Sequence, residues 1–149
     1  MNSLITREYD YAIRICAYLA GKKDQGPVSI FQISQKLFIT RPFATKIVYR
    51  LKQHSILTTT QGKDGGVSLN ANPETLSVYN ILRAMGYDSS INECLNIPGF
   101  CPLIKTCKIH SFFVEQEEIL LQSFKNKMIR DFVIHESDLI ENTRSAPTT

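Results

Sequence analysis

The sequence predicts a mostly α-helical fold with a small β wing: a winged helix-turn-helix domain followed by a long C-terminal helix suited to dimerisation. Three observations carry this. Two short helical patterns flank a tight turn between Ser29 and Gln53, the arrangement of a helix-turn-helix. A glycine-rich hairpin pattern follows at once, in "ILTTT-QGKDGG-VSL". The stretch from Cys107 to Val133 then runs without glycine or proline.

Each element has its own local reason. In "TREYDYAIRICAYLA", Ala12, Ile15, Cys16 and Leu19 fall on one helical stripe. Thr6 can cap that helix and Gly21 can end it. In "SIFQISQKL", Ser29 is the expected cap and Ile30, Ile33 and Leu37 point inward. "FIT" makes the turn. "TRPFATKIVYRLKQHS" starts from Thr40, with Pro42 in the first turn, where its missing N–H costs little. Its inward stripe is Ala44, Ile47, Val48 and Leu51, and its outer face shows Thr45, Lys46, Tyr49, Arg50 and Gln53. β-Branched residues make "ILTTT" and "VSL" strands. The three glycines of "QGKDGG" are expected to supply positive φ angles in the loop between them. "NPETLSVYNILRAMG" reads as a further short helix capped by Ser77.

Length and charge bound the function. A chain of 149 residues, 43% hydrophobic and 21% charged, is globular and long enough to bury a core. No apolar run is long enough for a membrane span, and the charged N-terminus does not read as a signal peptide, so a cytoplasmic protein is expected. The net charge is only +3, but Gln25 to Lys63 contains no acid while holding Lys36, Arg41, Lys46, Arg50, Lys52 and Lys63. Acids return in force in the C-terminal region, at Glu115, Glu117, Glu118, Asp131, Glu136, Asp138 and Glu141. Such asymmetry fits a module that binds a polyanion, although a solvated charged face produces the same run. Joined to the helix-turn-helix and wing, it points to double-stranded DNA. Thr45 and Lys46 would face base edges; Arg41, Tyr49, Arg50 and Lys63 would hold phosphate, with Gln61 beside the wing tip. No phosphate loop or nucleophile elbow is present, and an enzyme is not expected.

The segment "ECLNIPGFCPLIKTCKIH" holds three of the four cysteines and ends on His110. The spacing is Cys94-x6-Cys101-x5-Cys107-x2-His110. A cytosolic setting disfavours disulfides. Thiolates suit zinc or an iron–sulfur cluster, and the paired Cys-x2-Cys knuckles of common zinc sites are absent. The wide loop-borne spacing favours a cluster, with zinc and metal-free thiols as the alternatives. Cys107 and His110 lie three apart at a helix start and can face one centre. Cys16 belongs to the apolar stripe of the first helix and reads as core.

The order of parts is a winged helix-turn-helix over 1–87, a cysteine-rich loop over 88–106, a dimerisation region over 107–141 and a polar tail over 142–149. The apolar residues after Cys107 form two stripes, Ile109, Phe113, Leu120 and Phe124, then Leu121, Met128 and Phe132. They exceed what one small domain can cover, so a homodimer is expected.

With these residues in view, the chain resembles the bacterial winged-helix iron–sulfur transcription regulators of the IscR, NsrR and RirA type, over nearly its whole length. "DYAIR", "TKIV", "GKDGG" and "FCPLIKTCKI" look most like the nitric-oxide-sensing NsrR branch. The Cys107-x2-His110 pair is more similar to the IscR branch, where a histidine completes a 2Fe–2S site. The resemblance implies a homodimeric regulator, in all expectation a repressor, that binds an imperfect palindrome. Its DNA affinity would follow a cluster held by Cys94, Cys101 and Cys107, with His110 as fourth ligand and Asp10 as the alternative. A 2Fe–2S cluster is favoured over 4Fe–4S, and nitric oxide, redox or iron–sulfur status is the implied signal. Two departures stand out: the first cysteine gap is longer than the family pattern, and Gln61 stands where many relatives carry an arginine.

Overall fold

The computed structural model describes residues 3–88 and 90–140. The polar tail expected over 142–149 lies outside them. The described elements are α1 (Arg7–Ala20), α2 (Ile30–Lys36), α3 (Arg41–Gln53), β1 (Leu57–Thr60), β2 (Gly66–Leu69), α4 (Val78–Ala84), α5 (Glu93–Asn96) and α6 (Lys108–Asn126). The fold is a winged helix, mostly α with a two-stranded wing, as expected.

The helix starts are local chemistry. The side chains of Thr6, Ser29, Thr40 and Ser77 accept hydrogen bonds from Tyr9, Gln32, Phe43 and Asn80 backbone N–H groups. Each cap satisfies a donor that the first helical turn leaves orphaned, and is worth about 1 kcal/mol. The "FIT" turn works through a backbone exception. Phe38 takes φ +56°, and the Ile39 N–H reaches back to the Ser34 carbonyl. Ser55 repeats the device after α3 at φ +57°, with Ile56 donating to Leu51. Neither residue is a glycine, so tertiary packing holds both turns against local preference.

The core gathers Ile15, Tyr18 and Leu19 from α1, Ile33 from α2, Ile47 and Leu51 from α3, and Leu57 and Val67 from the wing. Every inward residue expected on α1 and α3 is buried; on α2, Ile33 and Leu37 are buried and Ile30 is half-buried. Each large apolar side chain removed from water contributes roughly 1.5–3 kcal/mol before entropy is counted. β1 and β2 pair antiparallel from Leu57–Leu69 to Thr60–Gly66. Val28 adds a bridge to Val67 on the far side of β2, with N–H···O distances of 2.8 and 2.9 Å.

Two sequence expectations need correction. The wing glycines do not all work through positive φ. Gly62 does, at +105°, but at Gly65 the constraint is space: a Cβ there would sit 2.1 Å from the Thr60 carbonyl oxygen. The last helix, expected to run to Val133, stops at Asn126. Lys127 turns extended, its carbonyl accepts from Val78 N–H at 2.9 Å, and Ile129 donates to Leu76 at 2.9 Å. Ile129 becomes fully buried in the main core. Burying Ile129 and pairing the backbone on both sides of Ser77 outweighs another helical turn, and it places Met128 and Phe132 outside the helix.

The chain then runs as a strap along α1. Ile134 N–H donates to the Ala17 carbonyl at 3.1 Å. A Cβ on Gly21 would lie 2.1 Å from the Ile134 oxygen, so this approach requires glycine. Glu136 receives Lys22 at 2.7 Å and also Lys36, which ends α2. The strap thereby ties the end of α6 to the helix that leads into α3.

Candidate functional site

The outer face of α3 is exposed at Arg41, Thr45, Lys46, Tyr49, Arg50 and Gln53, which together line a shallow groove. The fold brings together the recognition-helix residues that the sequence nominated. It also gives several of them partners that the sequence did not reveal. The Thr45 hydroxyl donates to the Arg41 carbonyl at 2.8 Å. Its proton is thus used inside the helix, leaving a methyl group and lone pairs for an incoming surface. Arg41 stacks over Phe31 at 5.5 Å. Arg50 donates to the Met85 carbonyl at 2.7 Å, which fixes α3 against the end of α4. Lys46 pairs with Glu8 of α1. Arg7 lies against the Tyr11 and Phe43 rings, 5.4 and 5.3 Å from their centres. Gln61 and Lys63 stand exposed on the wing loop.

Glu8 and Arg7 escaped the sequence reading for a physical reason. An acid in a helix first turn is accounted for by the helix dipole alone. Nothing local announces that it meets a lysine 38 residues on.

The cysteine loop lies against the start of α6. Asn92 caps the short α5 by accepting from the Cys94 N–H at 3.2 Å, and Ile91 N–H donates to Glu117 of α6 at 3.2 Å. Cys107 is the N-cap of α6, its sulfur accepting from the His110 N–H at 3.3 Å. The His110 ring turns the other way, so that Nδ1 lies 3.4 Å from the Cys94 sulfur. One thiol therefore meets the imidazole, and a second meets the backbone of the same residue. Cys101 is partly exposed on the turns between them, and among the described residues no three metal-binding side chains converge as they would around an ion. Asp10 sits elsewhere. It is bound to Arg14 at 2.9 Å, on the rim of a groove between α1 and the end of α6. Cys16 is fully buried, and burial pushes its thiol well up from the usual range.

Both the loop and α6 expose apolar side chains. Ile97, Phe100 and Leu103 are exposed on the loop, and Ile109, Phe112 and Ile119 are exposed along one side of α6. No residue of α6 is buried. Its inner side reaches the domain through Leu121 and Phe124, which pack on Val78, Leu82 and Tyr87.

Comparison with known proteins decides the family. The model of the Rrf2 family, described as iron-dependent transcriptional regulators, matches residues 5–135. The chain belongs to the Rrf2 family. Among Rrf2 relatives, the HTH-type transcriptional regulator NsrR of Bacillus subtilis is 25% identical over 138 residues, covering 92% of this chain and 94% of that protein. The solved structure of CymR, the global cysteine regulator of B. subtilis, superposes with a TM-score of 0.75 at 19% identity, over 89% of this chain and 97% of that one. T. potens IscR gives 0.68 at 16% identity, over 85% and 83%. These two show the shared fold. As an Rrf2 member the chain is a DNA-binding transcriptional regulator rather than an enzyme. No helix of the described residues is long and apolar enough to cross a membrane.

Proposed function

We propose that this Rrf2 regulator is a homodimer whose affinity for an imperfect palindrome is set by an iron–sulfur cluster in the cysteine loop, responsive to nitric oxide, redox or iron–sulfur status. The observation that carries the reading is the contact of the Cys94 sulfur with the His110 ring across 16 residues of sequence, with Cys107 capping the same turn. Soft thiolates with an imidazole are a donor set that fits a cluster. The relative named NsrR at 25% identity supports the same reading.

Cys94, Cys101 and Cys107 would hold the cluster, with His110 as fourth donor; Asp10, already engaged by Arg14, is the weaker candidate. When bound, the cluster supplies a centre that nitric oxide, oxygen or iron shortage can damage. The chain supplies the rest. The three cysteines and His110 must close together around the cluster, which would order the cysteine loop against α6. α6 bears on α4 through Leu121 and Phe124, and α4 bears on α3 through Arg50. A change in the loop thus reaches the recognition helix through packed elements. The exposed stripe Ile109, Phe112 and Ile119 is the surface for a second copy, and a two-fold pair can present two recognition helices about 34 Å apart.

One observation favours a second reading. Among the described residues no three metal-binding side chains converge, as suits a regulator that uses its thiols without a cluster, or one that takes up zinc instead. Anaerobic purification with iron, zinc and acid-labile sulfide counts separates the cases. Our reading expects coloured protein with iron and sulfide, and loss of colour in Cys94→Ala, Cys101→Ala and Cys107→Ala. Stoichiometric zinc, or no metal in anaerobic protein, selects the second reading.

A further inference from the structure

The recognition helix α3 carries no acid of its own between Arg41 and Gln53. The fold nevertheless sets a carboxylate against it. Glu8, in the first turn of α1, receives the Lys46 ammonium. The lysine remains exposed, with 59% of its side chain open to solvent, against 30% for Glu8. Glu8 also shares a depression between α1 and α3 with Arg7 and Arg50. A negative charge thus stands inside the basic face that must approach a polyanion.

An exposed ion pair of this kind adds little to stability. Its effect on DNA is larger and depends on the sequence met. A phosphate that draws Lys46 away must break the pair and leave the Glu8 carboxylate close to the DNA backbone. Phosphate offers the ammonium a point charge and nothing directional. A guanine edge offers two acceptors, O6 and N7, to a lysine held at the right depth in the groove. The ammonium has three donors, so it can meet that edge with the Glu8 contact kept, and the penalty falls on binding that uses phosphate alone.

We propose that Glu8 is a specificity-determining residue, which restrains Lys46 and suppresses binding to non-cognate DNA. This rests on the reading of the α3 outer face as the DNA-contacting surface. The test uses full-length protein and fluorescence anisotropy, with a random duplex and with an operator selected by the wild-type protein from a random library. Glu8→Gln removes the charge and keeps the side-chain shape, and equal melting temperatures confirm an intact fold. Glu8→Gln is expected to tighten random-duplex binding about 3- to 10-fold and to steepen its salt dependence by about 1 per subunit, as release of one more counterion requires. Operator affinity should move less than about twofold, so the ratio between the two falls. In the double variant Glu8→Gln/Lys46→Ala the difference between the two duplexes should vanish relative to Lys46→Ala. Equal tightening of both duplexes, or no change in the random one, overturns the proposal while the DNA face stands. If Lys46→Ala itself changes neither affinity, the face has been misassigned and the proposal falls with it.

Discussion

Cys16 and Cys94 are the same residue type in opposite surroundings. Cys16 is sealed between helices with its thiol held protonated by burial. Cys94 is partly open and 3.4 Å from an imidazole nitrogen. A thiol reacts as its thiolate, so burial decides which cysteines are chemically available. Metal-free, reduced native protein treated with iodoacetamide should lose Cys94, Cys101 and Cys107 to alkylation, while Cys16 stays unmodified until denaturant is added. Mass spectrometry of tryptic peptides reads this directly; rapid native labelling of Cys16 would contradict the buried assignment. At this scale the sequence was informative. The helical period alone placed Cys16 in the core and separated it from the loop cysteines. It could not show that the His110 ring turns toward Cys94 while its backbone N–H serves Cys107, because that depends on how the loop folds back on α6.

Among the elements, those governed by their own residues were legible and those governed by distant partners were not. Thr6, Ser29, Thr40 and Ser77 cap helices through neighbours three residues away, and each cap was readable. The end of α6 was not, because it is decided by the backbone on either side of Ser77, about 50 residues earlier. The strap beyond it has a testable electrostatic signature. Hydrogen bonds from Lys22 and then Lys36 hold the Glu136 carboxyl below the usual carboxylate range. A group depressed in the folded state adds stability that is present above its unfolded pKa and is lost as pH falls through the folded value. Acidification from neutral pH through the carboxylate range should therefore loosen the strap, and Glu136→Gln should remove that part of the pH dependence. Hydrogen exchange at the Ile134 amide, which donates to Ala17, is the probe. Exchange equally pH-sensitive in wild type and variant, after correction for the intrinsic rate, would show that the strap does not depend on this carboxylate.

For the molecule as a whole, the apolar surface is the main clue to assembly. Ile109, Phe112 and Ile119 lie exposed at helical spacing on the outer side of α6, and Phe100 and Leu103 of the preceding loop are exposed as well. Placing the cysteine loop beside this surface would make ligand geometry and dimer geometry mutually dependent. Ile119→Glu would bury a charge in the proposed interface and should weaken self-association at least about tenfold, or roughly 1.4 kcal/mol. Sedimentation of wild type and variant over a concentration series checks this; an unchanged dimer would move the interface elsewhere. The winged-helix architecture was readable because it is a sum of local patterns. The proposed dimer surface showed in the sequence only as an excess of apolar residues, since a single sequence does not say which stripe faces inward. Leu121 and Phe124 turned out to face the domain, and Ile109 and Ile119 to face away.

The central claim is that the state of the cysteine loop sets DNA affinity. Its most direct test is an anaerobic titration of one selected operator with the same protein preparation before and after addition of nitric oxide, the cluster absorbance being followed in the same cuvette. The account predicts that operator affinity changes about 5- to 150-fold in step with loss of the absorbance, and that Cys94→Ala protein shows one fixed affinity under both conditions. An affinity that stays constant while the absorbance disappears would contradict it.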